Sequence, residues 1–462
     1  MYLRSRIYYC LFALLLSSST FLGASVDRQA RIAIIGGGAA GLTAAYTLEK
    51  AGFSQVTVFE KEDQLGGKVH SFQLDGMVYE VGAFWAGSSY EVVDELATKF
   101  GVEFQIEEAV FQVRLADGQK FALATYPLKV FNIWELTTGY YHWLRVQKKF
   151  AALSEVGGFF QLDHPDLFLP FEEFIAKYQI EVFAQIFRPF WIGCGYGYYE
   201  DTPALYVLKL MLESLDLSLG DVLKSFLPWS GQSENSLRRA PEGFQELFVR
   251  LGESLRDVRL QSEVTQVRRL TKLDHTVIEV TANGVIDEFD YVIIATDLQA
   301  ARQYLDVNME ESQLFSMVKN YNYYIHLVAA ELTENPGTMI FLDEYGRKES
   351  IGHMTALINR QAAPMIWTTG QLFPWQANED DLFSYLNHDF AALGGAIHQV
   401  IDRWQWTYFP HVLNDDLRAG FYPRLAALQG KNRTFYIGGI LNFETVEGTA
   451  AFAKNLIEDQ FL

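Results

Sequence analysis

The chain has 462 residues, 49% of them apolar and 20% charged. That balance excludes a disordered chain, a collagen or a long coiled coil and leaves room for two or three domains. The net charge of −20 repels phosphate backbones, so no nucleic acid partner is expected, and it argues against electrostatic docking on anionic lipid. The two cysteines, Cys10 and Cys194, allow neither a disulfide framework nor a cysteine-based zinc site.

In chain order, the first signal is a targeting segment. Arg4 and Arg6 precede an apolar run from Ile7 to Leu16, and a Ser-rich stretch leads to Gly23, Ala24 and Ser25. This is the pattern of a secretory signal peptide over residues 1–25, or of an N-terminal membrane anchor if the run is kept. The expected localisation is therefore exported (periplasmic, secreted or lumenal) or anchored, with peripheral or N-terminal membrane association. No other clean run of 18 apolar residues follows, so a multi-span membrane protein is not expected.

The strongest local signal starts at Arg31. Ile32 to Ile35 predict a strand, and Gly36, Gly38 and Gly41 fit G-x-G-x-x-G, with Ala39 and Ala40 between them. A helical pattern runs through Lys50, and Val56 to Phe59 predict a second strand with Glu60 and Lys61 at its end. Gly36 permits a tight turn, Gly38 lets backbone approach a pyrophosphate, and Gly41 lets helix and strand pack closely. The helix N-terminus offers free N–H groups to phosphate, and Glu60 can accept from both ribose hydroxyls. This order of parts predicts dinucleotide binding. By itself it does not choose between NAD and FAD.

Two further segments bear on that choice. After the acid come Gly66 and Gly67, with Lys68 beside them to neutralise a phosphate, then an Asp75-Gly76 turn and a second close-approach point at Gly82-Ala83, followed by Phe84 and Trp85. Near the C-terminus, Thr434 to Ile437 predict a strand, Gly438 and Gly439 follow, and a helix begins between Glu444 and Gly448. Its start would aim the N–H groups of Thr445 and Val446 at a ligand group that gains negative charge on reduction.

Together these pieces resemble the FAD-dependent amine oxidase and phytoene desaturase superfamily. The middle of the chain adds RRAPEGFQELFVRLGESL (238–255), then VRLQSEVTQVRRL, then FDYVIIATDLQAA (289–301). In that family this order is a helix, a strand whose backbone reads the adenine, and a return strand, which places Val264 at the adenine. One departure stands out: where the family has Ala-Gly-Glu after its C-terminal strand, this chain has Ile437-Gly438-Gly439. The resemblance implies an α/β fold, with a Rossmann-like FAD-binding domain (parallel sheet with helices) and a mixed-sheet and helical substrate domain, both discontinuous in sequence. Residues 31–90, 238–300 and 420–462 would form the first; residues 91–237 and 301–419 would form the second. Within segment 91–237 the pattern is mostly helical, with Trp134, Tyr141 and Leu144 at helical spacing, and 321–342 reads as strands.

Two stretches, 169–211 and 405–440, are similar to bacterial FAD-dependent polyenoic fatty acid double-bond isomerases. They share an LPF-E-EF run, a GYG turn, the start of a helix at Pro203-Ala204 and the Tyr408-Phe409-Pro410-His411-Val412 stretch; Lys68 also matches, where amine oxidases usually carry Arg. This resemblance implies hydride transfer from an apolar substrate C–H to flavin N5 and back, moving a double bond of a polyunsaturated fatty acid. The protein would hold the chain against the flavin and exclude water from a delocalised cation. Phe84, Trp85, Tyr196, Tyr408 and Phe409 are candidates for the aromatic walls, and Arg114 and Arg188 for a carboxylate anchor. The alternatives are an FAD-dependent amine oxidase or lipid desaturase, and a non-catalytic FAD-binding protein. The histidines His326, His353, His388, His398 and His411 lack metal-ligand spacing, so no metal is expected, and Cys194 has no evident His partner to make it a nucleophile.

Overall fold

Ile32, Ala33 and Ile34 are fully buried, as a strand covered on both faces requires. In the computed structural model this strand, Arg31–Ile35, sits at the centre of a five-stranded parallel sheet. The model describes residues 26–462 apart from 108, 124, 162–163, 215–236, 273–274, 334–336 and 361. The signal-like segment 1–25, with Cys10, lies outside the described residues.

The sheet order is Thr434–Tyr436, Tyr291–Ile294, Arg31–Ile35, Gln55–Phe59, Val258–Arg259. Every neighbouring pair is parallel. Strands from the beginning, middle and end of the chain therefore share one sheet. The helix Ala39–Lys50 follows the first strand and packs against the C-terminal helix Val446–Phe461. A three-stranded antiparallel sheet, Val264–Lys272, His275–Ala282 and Val285–Phe289, is inserted between Val258–Arg259 and Tyr291–Ile294. The helix Glu91–Phe100, just past residue 90, also lies against this side, touching Gln245–Glu253 and Val446–Phe461.

A seven-stranded mixed sheet forms the other layer, in the order Ala396–Val412, Val318–Glu331, Ala363–Phe373, Met354–Arg360, Thr338–Leu342, Val110–Arg114, Lys120–Ala122. Only the Thr338–Leu342 and Val110–Arg114 pair is parallel. The helices Ile133–Phe150, Phe171–Tyr178, Glu181–Gly193 and Ala204–Ser214 lie in the segment read as helical. That segment also supplies the strands Val110–Arg114 and Lys120–Ala122, which the helical reading missed. They are short, and they turn at Gly118 (φ +79°), so helical periodicity elsewhere in the segment hides them.

The three-stranded sheet is tied to the parallel sheet by a buried ion pair. Arg269 donates to both carboxylate oxygens of Glu311 (2.6 and 2.8 Å) and from Nε to Asp306 (2.6 Å), while the Tyr436 hydroxyl donates to Glu311 (2.8 Å). Burial pushes the Glu311 carboxyl up, but the Arg269 hydrogen bonds outweigh it and hold the group below its usual range. Removing the cation leaves a buried carboxylate uncompensated. Arg269→Leu is expected to lower stability by about 3–5 kcal/mol, read as a lower urea midpoint. Because the folded-state pKa is depressed, this contribution is complete above the unfolded carboxyl pKa and is lost as pH falls through the folded one. The gap between the two proteins should therefore narrow in acid.

Candidate active site

Between the two sheets lies a cavity of about 1970 Å³. A single drug-sized site occupies about 300–1,000 Å³, so this space suits a large cofactor and a second molecule. One half of its wall is built from glycine-rich backbone. Gly36 has φ +114°, and a Cβ there would come within 3.3 Å of the Ala295 backbone. Gly38 precedes the helix Ala39–Lys50 and offers no side chain to cap it, leaving first-turn N–H groups uncapped at the wall formed by Ala39 and Ala40. Gly41 does not line the cavity. A Cβ there would meet the Gly36 carbonyl at 2.0 Å, so it serves close helix–strand packing.

The second glycine pair lies directly on the first loop. The Gly66 N–H donates to the Gly37 carbonyl at 3.0 Å, and a Cβ on Gly67 (φ +58°) would sit 3.2 Å from the Gly38 Cα. The hairpin Ser71–Leu74 and Met77–Glu80 follows, turning at Asp75 and Gly76, both with positive φ. Gly82 and Ala83 then return along Lys68: the Ala83 N–H donates to the Lys68 carbonyl at 2.9 Å, and a Cβ on Gly82 would meet that oxygen at 2.0 Å.

Glu60 is buried at the cavity wall. One carboxylate oxygen accepts from the Gly37 N–H (2.7 Å) and the other from the Glu62 N–H (3.0 Å), so each keeps a lone pair for a ribose hydroxyl. Val264 lines the cavity nearby. Lys61 lines it too, but its ammonium pairs with Glu62 in solvent. From the far end of the chain, Gly438 (φ +124°), Thr445 and Val446 complete this wall. Thr445 caps the helix Val446–Phe461 by accepting from the Gly448 N–H at 3.0 Å. The helix thus starts within the expected window.

A group missed by sequence reading joins these parts. Lys68 donates to one oxygen of Glu444, and the Phe409 N–H donates to the other. Burial raises the Glu444 carboxyl above its usual range, and Lys68 opposes that shift. Phe409 itself has φ +52°, a conformation rare for an aromatic residue, and it packs into the core against Trp191, Tyr206 and His411. It does not line the cavity, contrary to expectation; the backbone turn that gives its N–H to Glu444 points the ring inward. The only sequence signal for Glu444 was an acid just before a helix, which reads equally well as an ordinary first-turn acid.

The remaining wall is apolar. Phe84 and Trp85 line it as expected, with Leu123, Phe187, Phe190 and Met339. Tyr196, Tyr408 and Tyr323 form a stack: the first two rings are 5.6 Å apart at 19°, the second and third 5.3 Å apart at 27°. Burial raises the pKa of all three, so they stand as neutral phenols. Tyr323 was not singled out, because alternation in YNYYIHLV does not say which tyrosine faces the cavity. Cys194 also lines the wall, and burial pushes its thiol up to about 12. Arg114 and Arg188 lie elsewhere. Arg114 pairs with Glu344, and Arg188 grips Asp343 with two bonds of 2.8 and 2.7 Å. Both are spent on one short helical turn, Asp343–Tyr345, and neither lines the cavity, so the anchoring role expected of them fails. His326 and His411 are lowered to about 4 by burial, and His411 bonds the Phe409 carbonyl (2.8 Å). Among the described residues, no group of three His, Cys, Asp or Glu side chains is placed to hold a metal ion.

A parallel sheet with two interlocked glycine loops, a ribose-facing acid and a cavity reaching a second sheet defines a dinucleotide-dependent enzyme with a separate substrate wall. Residues 39–326 match the family of flavin containing amine oxidoreductases, and the chain belongs to that family. A polyenoic fatty acid isomerase of Ptilota filicina is 25% identical over 204 residues, 39% of this chain and 41% of that protein, so the match spans less than half of that relative's length. The crystal structure of a CLA-producing fatty acid isomerase from P. acnes is similar over 95% of this chain and 100% of that one, with a TM-score of 0.83 and 26% identity. A putrescine oxidase bound to putrescine shares the fold, with a TM-score of 0.65, 16% identity, and coverage of 93% of this chain and 98% of its own. The protein is an FAD-dependent enzyme with the α/β fold of this family.

The glycine cradle supplies a direct test of the cofactor site. Gly67→Val would drive a branched side chain against the Gly38 backbone at a positive φ. The variant is expected to lose bound flavin, read as the ratio of visible to protein absorbance after purification; full retention would refute this assignment of the wall. Cys194→Ala tests the thiol. It should keep its flavin and its turnover, without the drop of several powers of ten that follows loss of a nucleophile.

Proposed function

We propose that the enzyme isomerises double bonds of a polyunsaturated fatty acid. The observation that carries this reading is the wall of stacked neutral tyrosines and apolar side chains facing the cofactor cradle. The full-length likeness to a CLA-producing fatty acid isomerase supports it.

The cradle of Gly36, Gly38, Gly66 and Gly67, with Glu60, Val264, Thr445 and Val446, would hold FAD. When bound, FAD supplies a hydride acceptor that can also return the hydride, which makes double-bond migration redox-neutral. The chain's own residues do the rest. Phe187, Phe190, Leu123 and Met339 exclude water that would trap a pentadienyl cation in the substrate. The ring faces of Tyr196, Tyr408 and Tyr323 offer negative quadrupole to that charge, and no base is required of them. Their raised pKa values keep them neutral through the physiological range.

The test is anaerobic. Purified enzyme given linoleate without oxygen is expected to generate conjugated-diene absorbance while its flavin stays oxidised at steady state. Stoichiometric flavin bleaching without oxygen, with peroxide released in air, would replace the isomerase reading by an oxidase.

A further inference from the structure

The helix Ile133–Phe150 carries two apolar stripes. Leu136, Tyr140, Trp143, Val146 and Phe150 are buried against the protein. Outside that stripe Ile133, Trp134, Tyr141 and Leu144 are 67, 77, 59 and 42% exposed. At about 100° per residue, Trp134, Tyr141, Leu144 and the exposed Arg145 and Lys148 fall within an arc of about 100°. The Arg145 guanidinium lies 5.9 Å from the Tyr141 ring. The preceding helix Tyr126–Val130 adds exposed Leu128 and Lys129.

Charge selects the occupant of this face. From residue 126 to 150, Lys129, Arg145, Lys148 and Lys149 stand against a single acid, Glu135, in a chain whose net charge is −20. Glu135 is engaged in the capping box with Asn132. A solvent-facing helix gains nothing from large apolar side chains, whereas aromatic and aliphatic groups interleaved with long basic ones are what an interfacial helix presents to a bilayer. A second copy docked symmetrically would set this basic stripe against itself. Position adds to the case: Leu123, three residues before Tyr126–Val130, lines the cavity and packs in the cluster of Trp85, Phe190 and Ile358.

We propose that this face docks on an anionic lipid bilayer, its local basic excess acting within a Debye length against the repulsion that the net charge of −20 would otherwise impose. Trp134, Tyr141 and Leu144 enter the headgroup region, and Arg145 and Lys148 lie against lipid phosphates. Among the described residues no helix is long and apolar enough to cross a membrane, so the contact is interfacial.

Flotation of the full-length, flavin-loaded protein with vesicles tests it, using dioleoyl phosphatidylcholine alone or mixed with dioleoyl phosphatidylglycerol. The protein is expected to float with the mixed vesicles. Trp134→Ser combined with Tyr141→Ser should cut that binding at least about tenfold. Arg145→Gln combined with Lys148→Gln should cut it by about twenty-five-fold on mixed vesicles and change little on the neutral ones, each basic residue contributing about fivefold. These are surface positions, and an unchanged flavin spectrum reports that the variants are folded. Failure of the unaltered protein to float would overturn the proposal. So would variants that float equally well, which would place any membrane contact elsewhere in the chain. A dimer in sedimentation velocity that the same substitutions dissolve would instead assign the face to self-association. Since the readout is binding, a protein that floats but leaves linoleate unchanged refutes the substrate reading alone.

Discussion

One buried carboxylate holds the site together. Glu444 stands just before the C-terminal helix, takes the Lys68 ammonium from the segment after the second glycine pair, and takes the Phe409 N–H from the end of the longest strand of the mixed sheet. It therefore ties both sheets to the mouth of one cavity. Its burial costs solvation that, among the described residues, these two donors offset. The same contact explains the unusual backbone at Phe409: a positive φ for an aromatic residue persists because the acid captures its amide and the ring fills the core beside Trp191. Tyr408, one residue earlier, is thereby fixed in the stack with Tyr196 and Tyr323.

The two walls differ in their electrostatics and meet at the Lys68–Glu444 pair, whose ammonium lies 5.8 Å from the Tyr408 ring. The cofactor side presents uncapped helix amides, glycine backbone and an acid already engaged by two N–H groups. The substrate side is made neutral by burial: three phenols and one thiol whose ionised forms are suppressed. The guanidiniums nearest this region by sequence are neutralised on Asp343 and Glu344, away from the cavity. A site arranged in this way suits chemistry at carbon, where a stray nucleophile or a mobile proton would divert the reaction.

The cofactor half was legible in the sequence because its requirements are local. A tight turn, a close backbone approach and a helix start each demand glycine or a small residue at a fixed offset, so Gly36, Gly38, Gly41, Gly66, Gly67 and Gly438 could be read one by one. The substrate half was legible only as composition. Whether an aromatic residue faces a cavity or the core depends on sheet register and on turns set by distant partners. Tyr408 and Phe409 are neighbours with opposite fates for that reason. The arginines misled for a related cause: a lone cation in an apolar run says nothing about the acid that the fold brings to it from 155 residues away, as Asp343 is brought to Arg188. The strands Val110–Arg114 and Lys120–Ala122 were hidden because their partners lie beyond residue 337 or in each other.

The parallel sheet has a consequence for biosynthesis. Its central strand is made about 400 residues before its edge strand, Thr434–Tyr436, and the helix that closes the cradle. Contacts of such long sequence separation form slowly and cannot form before their partners exist. A nascent chain thus holds a half-built nucleotide pocket until residues 434–461 have emerged, so closure of the flavin cradle waits on their synthesis.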